Sequence, residues 1–160
     1  MPGYHMFKGE REILDGDILR EILRRGRFTI LALCREDEPY IVTLSYGYDE
    51  KANCLYFHTA LKGAKLLFIE SNDRACATVI EDKGYVQGEC RHCYRSLVLA
   101  GRMKLVTELE EKKHGFEVLL DHLESDPRAP KAKYLPDEGS YSRAHILRLD
   151  IEEIRGKEGR

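Results

Sequence analysis

The feature that most constrains the fold is a long predicted strand with a glycine near its centre. Residues 94–106 have the sequence Tyr-Arg-Ser-Leu-Val-Leu-Ala-Gly-Arg-Met-Lys-Leu-Val, and the glycine is Gly101. A glycine inside a strand is typical of a bulge or a bend, because the regular ladder is weakest there. A bend of this kind lets a sheet curl until it closes, so residues 94–106 predict a β-barrel.

The other predicted strands are short and are joined mainly by tight turns. Apolar, β-branched and aromatic residues mark the strands, and clusters of polar residues with Pro or Gly separate them. Strands joined by hairpins, with helices at only a few places, predict one mainly β domain over residues 1–160, an antiparallel barrel with helices. These strands are residues 28–34, 40–48, 55–59, 75–80 and 144–151.

Three segments carry apolar residues at helical spacing and are predicted to be helices. The first begins at Asp15 or Asp17, either of which can cap a helix, and it ends before Gly26. The other two helices, and a loop with three prolines that follows them, are residues 61–70, 108–123 and 125–142.

Residues 55–65 join a short apolar strand directly to a helix, with the sequence Leu-Tyr-Phe-His-Thr-Ala-Leu-Lys-Gly-Ala-Lys. A helix N-terminus presents unpaired N–H groups and the positive end of the peptide dipole, so it favours an anion. Gly63 would let an anion approach the backbone, and Lys62 or Lys65 would add positive charge. His58 could donate a hydrogen bond to the same anion. The segment indicates a phosphate site for a nucleotide-like cofactor; the alternative is an ordinary connection with solvated lysines and a packed histidine.

Composition and charge exclude several classes of protein. The net charge of −2 offers no electrostatic case for nucleic acid. No apolar run approaches the roughly 18 residues of a membrane span, and residues 1–8 lack the apolar core of a signal peptide, so we expect a cytoplasmic protein. Five cysteines, an odd number, argue against a secreted disulfide framework. Cys90-Arg-His-Cys93 offers at most half of a structural zinc site, so no metal site is predicted; the alternatives are a redox pair and reduced cysteines that are structural or lie near a flavin.

Seven pieces of the sequence, in order, resemble the pyridoxamine 5′-phosphate oxidase-like FMN-binding split barrels, and within them the short branch that includes the nitroimidazole-resistance proteins. Together they extend over almost the whole chain. They are Arg11-Glu-Ile, the helix that ends at Gly26, Pro39-Tyr-Ile-Val-Thr-Leu-Ser-Tyr-Gly-Tyr48, Tyr56-Phe-His-Thr-Ala-Leu-Lys-Gly-Ala-Lys65, Asn72-Asp-Arg-Ala-Cys76, Cys90-x-x-x-Tyr-Arg-Ser-Leu97 and Ile151-Glu-Glu-Ile-x-Gly-Lys157.

The resemblance implies a mainly β fold with helices, a six-stranded antiparallel split β-barrel. It also implies a homodimer with two FMN molecules at the subunit interface. In the oxidase branch an arginine stands where this chain has Ala64, so the phosphate charge here rests on Lys65 and on Lys62. The cofactor-binding residues that the resemblance implies are Val42, Thr43, Leu44, Ser45 and Tyr46 on the flavin strand, His58, Thr59, Gly63, Ala64 and Lys65 at the phosphate turn, and Tyr94, Arg95 and Ser96 on the next long strand.

The function that the resemblance implies is that of an FMN-dependent oxidoreductase acting on an unidentified small molecule. The flavin would carry the electron chemistry, so no acid–base pair is required and no catalytic residue is predicted. The chain has no Trp, whereas the oxidase completes its pocket with one, so we do not expect pyridoxamine phosphate oxidation itself. The alternatives are a non-enzymatic flavin carrier or sensor, and a deazaflavin- or haem-binding variant of the same barrel.

Overall fold

Eight strands form one antiparallel sheet in the computed structural model, which describes residues 8–160. The strands are β1 (Glu12–Ile13), β2 (Phe28–Arg35), β3 (Glu38–Ser45), β4 (Gly47–Asp49), β5 (Cys54–Thr59), β6 (Arg74–Val86), β7 (Arg91–Leu105) and β8 (His145–Gly159). The helices are α1 (Gly16–Arg25), α2 (Ala64–Ser71), α3 (Leu109–Leu123) and α4 (Arg128–Tyr134), with 3₁₀ turns at Gly9–Arg11 and Glu138–Arg143.

The sheet has the order β3-β2-β6-β7-β8-β5-β4, and β1 pairs with β8. Its two ends, β3 and β4, are consecutive along the chain with only Tyr46 between them, and β3 also contacts β5. The sheet therefore curls until its edges approach each other without a continuous ladder. The predicted class, a mainly β split barrel with helices, is confirmed, with eight strands in place of six. β1 and β4, of two and three residues, are the short ones.

The bend predicted at Gly101 is present. The register between β7 and β8 shifts between Ala100 and Gly101, as in a β-bulge. A Cβ atom on Gly101 would lie 1.9 Å from the carbonyl oxygen of Asp150. No side chain fits in that space, which explains why a glycine interrupts the strand.

The segment between α3 and β8 is not the loop that its prolines predicted. It contains α4 and the 3₁₀ turn Glu138–Arg143. Pro127 precedes the first residue of α4, and Pro130 lies in its first turn, where a helix needs no backbone N–H. Pro136 comes after the helix has ended. The prolines therefore begin and follow a helix here.

Several predicted ends also differ from the structure, and the strand predicted over residues 40–48 is divided at Tyr46 into β3 and β4. β6 and β8 continue to Val86 and Gly159, well beyond the predicted ends, because β7 supplies both strands with cross-strand partners. Tyr94 of β7, for example, is paired with Asp82 and with Gly159. α2 begins at Ala64, later than predicted, because the residue before it has a non-helical backbone.

Two apolar clusters among residues 8–160 hold the fold together. The larger fills the barrel and includes Leu31, Leu97 and Leu149. The smaller lies between the outer surface of β5 and α3, where Tyr56 packs with Leu119. Residues of β5 are therefore buried on both sides, and α3 is attached to the outside of the barrel.

Two expectations from the sequence concern membrane spanning and the cysteines. No helix among residues 8–160 is long and apolar enough to cross a bilayer. The prediction on signal peptides concerns residues 1–8, of which 1–7 lie outside the described residues. The five cysteines are free thiols.

Candidate functional site

The connection from β5 to α2 has the geometry of an anion cradle. Gly63, the N-cap of α2, has φ +150°, a conformation that other residues rarely adopt. Among the described residues no side chain caps this helix, and its first turn has no acidic residue. The Nζ atom of Lys65 lies 3.5 Å from the position that a Cβ of Gly63 would occupy. A positive charge therefore stands over a helix N-terminus whose N–H groups have no side-chain partner.

Thr59, at the end of β5, carries a buried hydroxyl without a partner. The residue is 4% exposed, and its Oγ1 makes no hydrogen bond within residues 8–160. A buried polar group left unpaired costs about 1–3 kcal/mol. An unpaired hydroxyl a few residues before an uncapped helix indicates a place for a ligand that supplies the missing acceptor or donor.

β3 is the edge strand next to this cradle. It pairs only with β2, so along its other edge the backbone N–H and C=O groups have no strand partner in the described part of the chain. Val42 and Leu44 are half-buried and pack against the barrel core, whereas Thr43 and Ser45 are exposed. The predicted flavin strand thus offers a free backbone edge and two small polar side chains.

Tyr46, the last residue of the predicted flavin strand, is turned into the core. Its side chain is fully buried, and its hydroxyl donates a hydrogen bond of 2.8 Å to the carbonyl oxygen of Leu23. Burial raises the pKa of Tyr46 well above its usual value, so the phenol stays protonated. The side chain of Tyr46 therefore contacts α1 and does not face the cavity.

A cavity of about 620 Å³ lies outside the barrel beside β3. Thr43, Leu44 and Ser45 border it on one side together with His58, whose ring is exposed and stands 6.0 Å from that of Phe116. The predicted flavin strand and the first residue of the phosphate turn therefore meet at one cavity. The cradle residues Gly63, Ala64 and Lys65 lie outside its lining.

The rest of the cavity is mostly apolar and comes from α3, α4 and the residues that follow each of these helices. The side chains from α3 are Phe116, Leu119, Leu120 and Leu123. Opposite them stand Pro130, Tyr134 and Leu135, with Ser140 and Arg143 from the 3₁₀ turn. This wall was not predicted, because the prolines indicated a loop and the apolar residues of 108–123 indicated only a helix.

The three residues predicted on β7 lie apart from the cavity. Tyr94 and Ser96 are half-buried on the outer surface of the sheet, and β2 and β6 separate their strand from β3. Arg95 points the other way and is ion-paired with Glu81 at 2.7 Å and with Glu21 at 3.3 Å. Burial lowers the pKa of Arg95, but these two carboxylates outweigh that effect and raise it. Within one chain, these residues do not join the β3 and α2 groups.

Comparisons with known proteins agree with this architecture. A family model described as pyridoxamine 5′-phosphate oxidase matches residues 15–158. The protein RA0666 of Rhizobium meliloti (strain 1021), itself uncharacterized, is 26% identical over 140 residues, which are 85% of this chain and 87% of that protein.

Solved structures show the same fold at low sequence identity. A candidate 5-nitroimidazole antibiotic resistance protein from Bacteroides thetaiotaomicron has a TM-score of 0.77 at 20% identity, over 92% of this chain and 86% of that one. An FAD and heme binding protein from Mycobacterium smegmatis has a TM-score of 0.76 at 17% identity, over 93% of this chain and 73% of that one.

Proposed function

We propose that this chain, which belongs to the pyridoxamine 5′-phosphate oxidase family, binds FMN and is an FMN-dependent oxidoreductase that acts on a small molecule. The membership rests on the match over residues 15–158. The observation that carries the cofactor proposal is the cradle at the start of α2. There Lys65 stands over Gly63, and the buried hydroxyl of Thr59 has no partner among the described residues.

The residues of the cradle fit a single phosphate group. The N–H groups at the start of α2 and the ammonium group of Lys65 would bind its oxygens, and Thr59 can add a hydrogen bond. His58 lies on the opposite face of β5, at the cavity, and is not assigned to the phosphate. The free backbone edge of residues 42–45 would receive the edge of the isoalloxazine ring, whereas the backbone N–H of Tyr46 is hydrogen-bonded to the carbonyl oxygen of Arg27. Bound FMN supplies the hydride or electron transfer, while these residues bind and orient it. We favour FMN over FAD, because residues 8–160 form one compact anion cradle and the sequence contains no glycine-rich turn for a pyrophosphate.

A homodimer is part of this proposal. β2 and β6 lie between β7 and β3, so we place Tyr94 and Ser96 away from a flavin bound at β3 of their own chain. A two-fold partner would bring its own β7 to that flavin. The outer surface of β3, β2, β6 and β7 supports such a partner, because it carries four large apolar side chains that are each more than half exposed: Ile41, Phe28, Ile80 and Val98.

The alternatives differ in cofactor or in the absence of turnover. A flavin carrier or sensor would bind FMN without a productive substrate, and a deazaflavin would need the same cradle. Haem is the variant that a separate observation favours, because His58 stands at an apolar cavity and a structural neighbour is described as binding FAD and heme. A cytoplasmic location stays a prediction.

The absorption spectrum of the purified protein, followed by mass analysis of the released ligand, separates these cofactors. We expect flavin absorption bands and the mass of FMN, or FMN binding at micromolar concentration by protein purified without ligand. If the purified protein carries no flavin and also does not bind added FMN, the proposal is wrong. Oxidation of a reduced nicotinamide with an electron acceptor then separates an enzyme from a carrier.

A further inference from the structure

Resting on the proposed function, we infer that the part of the cavity between α3, α4 and the 3₁₀ turn Glu138–Arg143 is the substrate compartment. The geometry points to a flat, apolar molecule that carries one carboxylate, which Arg143 binds. A substrate that exchanges electrons with the flavin must touch its ring, and the ring is proposed to lie along β3. Thr43 and Ser45 of β3 border this cavity, so a molecule held in it would stand beside the flavin.

The compartment is built for an apolar body. Phe116, Leu120 and Leu123 of α3 form one side, and Tyr134 and Leu135 form the other. Pockets that hold small ligands typically have such a lining, with a few polar groups that fix the orientation. The anion cradle contributes no lining residue, so a phosphate bound there leaves the compartment free.

Arg143 supplies the polar group. The residue is exposed at the end of the 3₁₀ turn, and its guanidinium makes no hydrogen bond or ion pair within the described range, whereas Arg95 and Arg148 are ion-paired. Asp137, which it influences electrostatically, accepts hydrogen bonds from the backbone N–H and the hydroxyl of Ser140. A guanidinium with free N–H groups at an apolar cavity favours a carboxylate, which it binds with two parallel hydrogen bonds.

The lining also contains one carboxylate, Glu124, which follows the end of α3. It forms no ion pair with Arg143 in the described structure, so the two charges act on a ligand separately. Glu124 disfavours a second negative charge, and for this reason we infer a monoanion.

Two ion pairs and a ring contact join the walls of the compartment to one another. Lys113 of α3 binds Glu138 of the 3₁₀ turn at 2.7 Å, and Lys131 of α4 is ion-paired with Glu117 of α3. The rings of Phe116 and Tyr141 meet edge to face with their centroids 5.6 Å apart. A preformed site loses less conformational freedom on binding, which favours small ligands.

Three naphthalene derivatives of the same shape test the inference: 2-naphthoate, 2-naphthylmethanol and 2-naphthylmethylammonium. Their dissociation constants are measured by naphthalene fluorescence with the purified full-length protein, and the flavin content of each sample is recorded. We expect 2-naphthoate to bind at least tenfold more tightly than the alcohol, and the ammonium compound to bind most weakly. In samples that contain flavin, 2-naphthoate should also shift the flavin absorption bands.

Variants assign the binding to the compartment. Arg143→Gln should abolish the preference for the carboxylate, and Tyr134→Ala should weaken the binding of all three compounds several-fold. The matched control is Arg128→Gln, which removes an exposed arginine of α4 that does not line the cavity and should change nothing.

The outcomes separate the two proposals. The inferred compartment is contradicted, even where FMN is bound, by any of three results. The carboxylate binds no better than the alcohol, the ammonium compound binds best, or Arg143→Gln behaves like Arg128→Gln. If the protein binds no flavin but discriminates through Arg143, the anion site stands and the flavoprotein function fails. Binding that depends on Arg143 without a shift of the flavin bands contradicts its role as the substrate compartment.

Discussion

Replacing Thr59 by valine tests the cofactor site through a stability change of unusual sign. The hydroxyl is buried without a partner in residues 8–160, and such a group costs about 1–3 kcal/mol. Valine has the same shape and no polar atom. We therefore expect Thr59→Val to raise the free energy of unfolding of the flavin-free protein by about 1 kcal/mol or more. For a chain of this size each kcal/mol corresponds to about 2–4 °C in the melting temperature.

With FMN the effect should reverse. If the hydroxyl donates to the phosphate, its loss removes a hydrogen bond to a charged group, about 1.5–3 kcal/mol, and weakens FMN binding roughly ten- to hundredfold. Urea and thermal unfolding measure the first effect, and quenching of FMN fluorescence on titration measures the second. A Thr59→Val protein that is less stable without flavin, or that binds FMN as tightly as the wild type, refutes the reasoning.

Thr29→Val is the matched control. Thr29 is also a buried strand threonine, at 0% exposure, but its Oγ1 donates a hydrogen bond of 2.7 Å to the carbonyl oxygen of Thr78. Removing a satisfied hydroxyl should lower the free energy of unfolding by about 0.5–1.5 kcal/mol. FMN affinity should not change, because Thr29 lies outside the proposed site. Opposite signs for the two threonines would tie the effect to the unpaired group and not to valine itself.

Three further predictions concern the phosphate, the partner subunit and pH. Lys65→Ala should weaken FMN binding about tenfold or more in a titration, and it should leave the binding of riboflavin, which lacks the phosphate, unaffected. Lys62→Ala should weaken FMN binding less. Equal FMN affinity for Lys65→Ala and the wild type would mean that Lys65 is only solvated. Val98→Glu, on the outer surface of β7, should give a monomer by light scattering and lose FMN. Leu14→Glu, at an exposed apolar residue away from the surface of β3, β2, β6 and β7, should do neither. A wild-type monomer that retains FMN contradicts a flavin site shared between subunits. Burial lowers the pKa of His122 below 6.5, although its hydrogen bond to the Gly26 carbonyl opposes this, so the unfolded chain binds a proton that the folded chain does not. The free energy of unfolding should fall as pH drops below about 6.5, and His122→Gln should reduce that slope by up to about 1.4 kcal/mol per pH unit.

The parts of the fold that depend on local pattern could be predicted from the sequence. Gly101 indicated the bulge because no side chain fits beside the Asp150 carbonyl, and the order of strands and turns indicated an antiparallel barrel. The alternation of side chains along β7 also indicates that Arg95 faces inward, since Arg95 shares a face of the strand with the buried Leu97 and Leu99. An inward-facing arginine at the end of a barrel requires carboxylate partners, which Glu81 and Glu21 supply.

The parts that depend on long-range packing could not. The cavity brings Ser45 and His58 together with Arg143, and no local pattern links residues so far apart in the sequence. The side of the cavity around Tyr134 could not be predicted. In a single sequence, prolines at the start of a helix look the same as prolines in a loop. An unpaired hydroxyl such as that of Thr59 depends on the absence of neighbours, and only the folded chain reveals it.

Several features at the end of β5 lower the stability of the free chain, and all lie within six residues of one another in sequence. Thr59 buries an unpaired hydroxyl, Gly63 takes a backbone conformation that other residues avoid, and α2 starts without a side-chain cap among the described residues. The preferred N-cap is a Ser, Thr, Asp or Asn, which contributes about 1 kcal/mol, and a paired or apolar residue in place of Thr59 would avoid the unpaired hydroxyl. α1 of the same chain follows that rule, with Asp15 accepting a hydrogen bond from the backbone N–H of Asp17. A ligand that binds only the folded state offsets such losses, by about 2.7 kcal/mol at a hundred times its dissociation constant. The missing cap does not by itself set α2 apart, since α3 and α4 also begin without a side-chain cap in the described part of the chain. The unpaired hydroxyl of Thr59 and the backbone of Gly63 therefore carry the argument for an anion at α2 over the solvated-lysine alternative.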